Sequence, residues 1–129
     1  MNKNIVSIDK YRSATLGKTR NFKTQTVEVD GIKFQVRQPT IAERGAIQTK
    51  SMSFVDAKGN TLDKPSFSTS EFQIWGVIGL TVIPGTNTKI FSPEDYDMLA
   101  EQPAGGWFDK LSKAAAELSN VEEKEVKKP

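Results

Sequence analysis

The chain has no cysteine and no histidine among its 129 residues. Without thiols there is neither a disulfide framework nor a thiolate zinc site, a pattern that fits a reducing cytoplasm. Without imidazole the commonest general base and the commonest metal ligand are both missing. No apolar run reaches the roughly 20 residues that cross a bilayer. Residues 1–10 lack the apolar stretch of a secretory signal, so the protein is expected to stay inside the cell that makes it. Phosphate-cradling chemistry is absent as well: Gly105-Gly106 has no following Lys and no preceding strand pattern. No internal repeat and no sustained heptad is visible. Charge of one sign is also scarce, with a net of +2, but it is unevenly placed. Lys3, Lys10, Arg12, Lys18 and Arg20 stand against Asp9 in residues 1–20, a net +4 that leaves −2 for the remainder. The length is that of one domain, by the usual range of about 100–200 residues.

What is present centres on residues 67–83, the one long apolar run. Ser68 followed by Glu71 is a capping box, and Phe67 and Phe72 have the spacing of a hydrophobic staple around it. Phe72, Ile74, Trp75, Val77, Ile78, Leu80 and Val82 leave almost no polar side, which predicts a buried core helix. Gly76 and Gly79 each cost up to about 1 kcal/mol against Ala in a helix and so suggest another backbone packing close. A strand over Ile78–Ile83 is the competing assignment, since short apolar runs fit both.

Before this run, residues 1–20 show no sustained period and read as a basic, flexible arm whose functional use would be contact with nucleic acid or an acidic partner. Residues 26–36 alternate around Asp30-Gly31, the dipeptide that suits a type I′ turn, and predict a hairpin. Its pairs are Val29 with Ile32, Glu28 with Lys33 and Val27 with Phe34. The apolar face of Val27, Val29, Ile32, Phe34 and Val36 needs a cover, for which the 68–83 helix is the expected lid. Thr40 and Glu43 form a second capping box, starting a helix to about Thr49 with Ile41, Ala42 and Ile47 inward. Residues 53–66 connect, with a small hairpin or turn at Asp56–Asn60. Asp56, Asn60 and Asp63 do not match a calcium loop.

After the central run, residues 84–88 break the chain. Ser92, Pro93, Glu94 and Asp95 open the next helix, with Phe91 and Tyr96 at staple spacing and Leu99 beside Tyr96. Ala104-Gly-Gly106 is a joint. A last helix from Trp107 to about Leu118 puts Trp107 or Phe108, Leu111, Ala114, Ala115 and Leu118 on one stripe. Residues 120–129 are charge-mixed without core residues and are expected to be disordered. The expected fold is α+β: an N-terminal antiparallel β-hairpin packed against a small bundle of about four helices. The arm over 1–20, a single globular domain over 21–119 and the tail over 120–129 complete the organisation.

Catalysis finds little support. A nucleophile lacks its usual activator, and no strand-turn-helix elbow is present. Glu94, Asp95, Asp97 and Glu101 match a solvated helix start better than a Mg²⁺ or acid-base site. No basic recognition helix is visible. The expectation is a non-enzymatic protein without metal, cofactor, small-molecule substrate or membrane contact.

Taken together, the hairpin running into Arg37-Gln-Pro-Thr-Ile-Ala-Glu43, the apolar middle helix and Ile90-Phe-Ser-Pro-Glu-Asp-Tyr-Asp-Met-Leu99 resemble the small tail assembly chaperones of long-tailed bacteriophages and of prophages. The likeness runs from about Lys23 to Leu118. It implies an assembly factor in the host cytoplasm that coats the helical, apolar tape measure protein and helps tail-tube subunits polymerise around it, and that is absent from the finished virion. Contacts with tail-tube subunits and self-association belong to the same expectation. The family is commonly made in two lengths by frameshifting, and the resemblance implies that this chain would correspond to the short product. An apolar helical client is held by adaptable Met and aromatic side chains. The candidates are Met98, Trp107, Phe108 and Leu111 around the Gly105-Gly106 joint, with Ile47, Met52 and Phe54 as a second patch; core filling is the competing role for all of them. The alternatives in function are a structural virion subunit, tail tube or head-tail connector, which needs a larger sheet, and a nucleic-acid binder using the basic arm.

Overall fold

Asp30 and Gly31 both sit at positive φ, 51° and 79°, and join strand β1 (Thr24–Val29) to β2 (Ile32–Arg37) in an antiparallel hairpin. This computed structural model describes residues 3–19 and 21–119. The register pairs Val29 with Ile32, Glu28 with Lys33 and Val27 with Phe34, as the alternation around Asp-Gly predicts. The hairpin does not stand alone. Strand β5 (Thr81–Val82) pairs antiparallel with β2, giving a sheet in the order β1-β2-β5. Val36 and Val82 are fully buried there, whereas Ile32, placed inward by the alternation, lies exposed at the hairpin tip.

Helix α1 (Lys3–Thr15) occupies the stretch expected as an arm. A helix satisfies its own backbone polar groups without a tertiary partner, and Ile8, Tyr11 and Leu16 in and just after it are exposed. The expected tail over 120–129 lies outside the described residues. Helix α2 (Ile41–Lys50) carries the complete capping box: the Glu43 amide donates to Thr40 Oγ1 at 3.0 Å, and the Thr40 amide donates to Glu43 Oε1 at 2.9 Å. Of its three expected inward residues only Ile47 is buried; Ala42 is exposed, and Ile41 is 83% exposed. Ile41 and Ala42 stand in the first turn, at the capped end, while Ile47 is on the turn that meets the central helix.

That central helix, α3 (Thr69–Leu80), ends one residue before β5. Both readings of the apolar run are therefore realised, helix to Leu80 and strand from Thr81, because β2 supplies an edge that takes the backbone of Thr81 and Val82. At its start the box is half made. Ser68 Oγ accepts from the Glu71 amide at 3.2 Å, but the Ser68 amide donates to the Ser51 carbonyl at 2.8 Å. Phe67 and Phe72 do close over the start, with ring centroids 5.6 Å apart.

Between α2 and α3, β3 (Met52–Val55) and β4 (Thr61–Phe67) form a separate two-stranded antiparallel sheet. Asp56 closes its turn by accepting from the amides of Lys58 and Asn60 at 2.8 and 2.9 Å. These bonds to the ionised form hold its carboxyl below the usual range, and they account for the Asp56–Asn60 spacing without a metal.

Beyond the 84–88 turn, the expected helix at Pro93 divides into a 3-10 turn (Pro93–Asp95) and α4 (Tyr96–Ala100). Phe91 and Tyr96 find other partners than each other: Phe91 stacks on Trp107 at 6.2 Å, and Tyr96 meets Trp75 at 5.2 Å. Helix α5 (Trp107–Ser119) buries Phe108, Leu111, Ala114, Ala115 and Leu118, the predicted stripe. It packs on α3 and also on β1 and β2, so α5 rather than α3 is the principal lid of the hairpin. The whole is an α+β fold with a small antiparallel sheet and several helices.

Candidate partner-binding surface

Arg37 is buried at the end of β2, where it makes a two-pronged contact with Glu43 on α2. Nη1 donates to Oε1 at 2.8 Å and Nη2 to Oε2 at 2.7 Å, while Nη1 also reaches the Gln38 carbonyl at 3.0 Å. The Phe22 ring covers the guanidinium at 4.9 Å, and Lys89 Nζ lies 3.2 Å from the same carboxylate. Arg37 above all, then the Thr40 amide and Lys89, pull the Glu43 pKa down to about 2 against the opposing effect of burial. Each terminus of the Arg37–Glu43 motif is thus tied to the other, which joins sheet to helix. The sequence places Arg37 six residues before Glu43, but an arginine on an alternating strand reads as solvent-facing, so the pair is not legible from spacing.

Above this joint a surface groove of about 180 Å³ opens between α2, α3 and residues 89–93. Its walls are Ala46 and Ile47 from α2, Trp75 and Ile78 from α3, and Phe91 with Pro93 from the following segment. Gly79, Lys50, Lys89 and Glu43 complete the lining. Lys50 Nζ sits 4.0 Å from the Trp75 ring centroid, close enough for a cation–π contact. The Trp75 indole is held from the other side, its Nε1 donating to Glu71 Oε2 at 3.1 Å. Glu71 also bonds the Tyr96 hydroxyl, which with burial raises the Tyr96 pKa to about 12. The carboxylate expected to finish the α3 cap is therefore spent on two aromatic neighbours that fix the groove wall.

The seven side chains proposed from sequence for client contact divide by environment. Ile47, Phe108 and Leu111 are buried, Leu111 completely, and belong to the core. Phe108 and Leu111 fill space between helices and are not available to a partner, whereas Ile47 keeps one edge in the wall of the groove. Trp107 is half-buried, stacked on Phe91 and edge-on to Phe108. Met98 is 68% exposed, and Met52 and Phe54 are also exposed. The structure adds two residues to that pair: Val55 and Phe67 are both about half exposed. Met52 and Phe67 face each other across the β3–β4 ladder, so Met52, Phe54, Val55 and Phe67 concentrate exposed apolar surface on one hairpin. Phe67 was legible only as a staple; that it would stay about half exposed while packing on Phe72 was not. Among the described residues no three carboxylates gather in a metal-binding group, and no helix is long and apolar enough to cross a membrane. Glu94, Asp95 and Asp97 lie around the start of α4, where Asp95 Oδ2 accepts from the Ser92 amide at 2.9 Å, while Glu101 stands at its far end.

No family model, curated protein or solved structure matches the chain.

Proposed function

We propose that this protein is a tail assembly chaperone of the long-tailed phage and prophage type, which binds the tape measure protein without catalysing a reaction. The reading rests on the motifs running from Lys23 to Leu118, and one structural observation carries it: the second hairpin presents Phe54, Phe67, Val55 and Met52 to solvent. Exposed apolar side chains gathered on one hairpin of a small domain mark a place where another polypeptide sits. Aromatic and Met side chains suit a client whose apolar helical faces vary along its length. A two-stranded sheet with open edges adds unpaired backbone groups for the same purpose. The client is the tape measure protein, the site of action is the host cytoplasm, and tail-tube subunits join later.

Co-expression with the tape measure protein of the same genome is expected to raise that protein's soluble fraction and to yield a co-purifying complex. Met52→Ser together with Phe54→Ser should abolish both effects and leave the circular dichroism spectrum of the chaperone unchanged. Wild-type protein that neither solubilises nor retains the tape measure protein would defeat the proposal. Mass spectrometry of purified particles separates this role from that of a tail-tube or connector subunit, because only the subunit remains in the virion.

A further inference from the structure

The groove between α2, α3 and residues 89–93 has a chemistry distinct from that of the exposed hairpin. At about 180 Å³ it is too small for most ligands, which occupy roughly 300–1,000 Å³, yet it can take one large apolar side chain. Its walls are almost wholly carbon, from Ile47, Ile78, Phe91 and the Trp75 face. Its charges are uneven. Lys50 and Lys89 line it against Glu43 alone. Lys89 Nζ lies 3.2 Å from the Glu43 carboxylate, which Arg37 also holds by two short bonds and the Thr40 amide by a third, so the cations at this joint outnumber its one carboxylate. Glu71 and Asp95 are turned to Trp75 Nε1 and the Ser92 amide, and neither they nor Glu94 line the groove. An incoming chain therefore meets an apolar slot with two lysines beside it and no free carboxylate in its lining.

We infer that this groove receives a bulky apolar side chain from a partner helix that carries Asp or Glu within a turn of it. The inference rests on the chaperone reading for the identity of the partner and deepens it by naming the kind of client segment recognised: an acidic amphipathic helix, not a basic or purely apolar one. Leu, Ile or Phe enters between Ile47, Ile78 and Phe91, and the adjacent carboxylates pair with Lys50 and Lys89. Lys50 then exchanges its stacking contact with Trp75 for an ion pair at the rim, and the partner helix lies along α2.

Two synthetic helical peptides that share Leu anchors, one flanked by Glu and one by Lys, test this by fluorescence anisotropy. The Glu-flanked peptide is expected to bind at least about tenfold more tightly at low salt, because like charge across an interface is penalised. Lys50→Glu with Lys89→Glu should reverse that order. Lys50→Glu alone, which leaves the Glu43 contacts in place, should at least equalise the two peptides. Ala46→Trp, which fills the slot from an exposed position on α2, should remove binding of both. Equal binding of the two peptides to wild-type protein, no binding of either, or binding unaffected by Ala46→Trp would each overturn the inference. Co-expression separates the two levels of argument. If Lys50→Glu/Lys89→Glu protein still solubilises the tape measure protein as well as wild type, the groove is not the client site and the chaperone reading stands. If wild type fails in co-expression while the peptides are discriminated as described, the groove stands and the chaperone reading falls.

Discussion

The Glu43 carboxylate is met by Arg37, Lys89 and the Thr40 amide at once. Its pKa of about 2 lies below its ordinary 4.5, so between those values the unfolded chain binds more protons than the folded one. The stability contributed by this group is complete above about pH 4.5 and disappears as the pH falls toward 2. Glu43→Gln is therefore expected to cost about 2 kcal/mol in urea unfolding at pH 7, less than a fully buried pair would because Glu43 keeps part of its side chain in solvent. The difference between variant and wild type should shrink steadily as the pH falls from 4.5 toward 2; a constant difference across that range would mean that its cost does not come from the ionised carboxylate. Residue chemistry alone could name Arg37 and Glu43 but not their partnership. The same limit applies to the apolar candidates. Leu111 and Met98 are equally plausible contact residues by type, and only packing makes one fully buried and the other 68% exposed.

At the scale of elements, local signals were legible wherever neighbours in sequence satisfy one another. The Asp30-Gly31 turn, the Thr40–Glu43 box, the Phe67–Phe72 staple and the α5 stripe all form as their spacing predicts. Signals failed where a distant group competed. Ser68 gives its amide to Ser51, Glu71 is drawn to Tyr96 as well as to its helix neighbour Trp75, and α3 stops at Leu80 because β2 offers a strand edge. The two glycines of α3 show a third outcome. A methyl group at Gly76 would meet the Ala115 Cβ at 3.7 Å, and one at Gly79 would meet Ile47 Cδ1 at 3.5 Å, both ordinary contacts. The expected close approach of another backbone is not what these glycines serve. Gly76→Ala should accordingly stabilise the protein by about 0.5–1 kcal/mol through helix propensity and the unfolded state. A fall in the thermal midpoint would instead show that α3 and α5 need to lie closer than this geometry.

For the whole molecule, α1 is the element least tied to the rest through its described side chains, since Ile8, Tyr11 and Leu16 are all exposed. Removing residues 1–14 is expected to shift the thermal midpoint by less than about 3 °C, the effect of a surface change on a domain of this size. A larger fall, read by differential scanning calorimetry, would show that α1 packs on the domain. The position of the first hairpin, the turn at Asp56–Asn60, the capped start of α2, the start of α3 at Ser68, the amphipathic α5 and the lack of thiol and imidazole chemistry were determined by sequence alone, because each depends on composition or on residues within about one turn or one strand pair of each other. Tertiary structure alone decided that α5 covers the hairpin, that Arg37 is buried against Glu43, that β5 extends the sheet, and which apolar side chains remain in solvent. Those outcomes depend on which surfaces meet across long stretches of chain, and burial is a property of the assembled packing rather than of any residue's own chemistry.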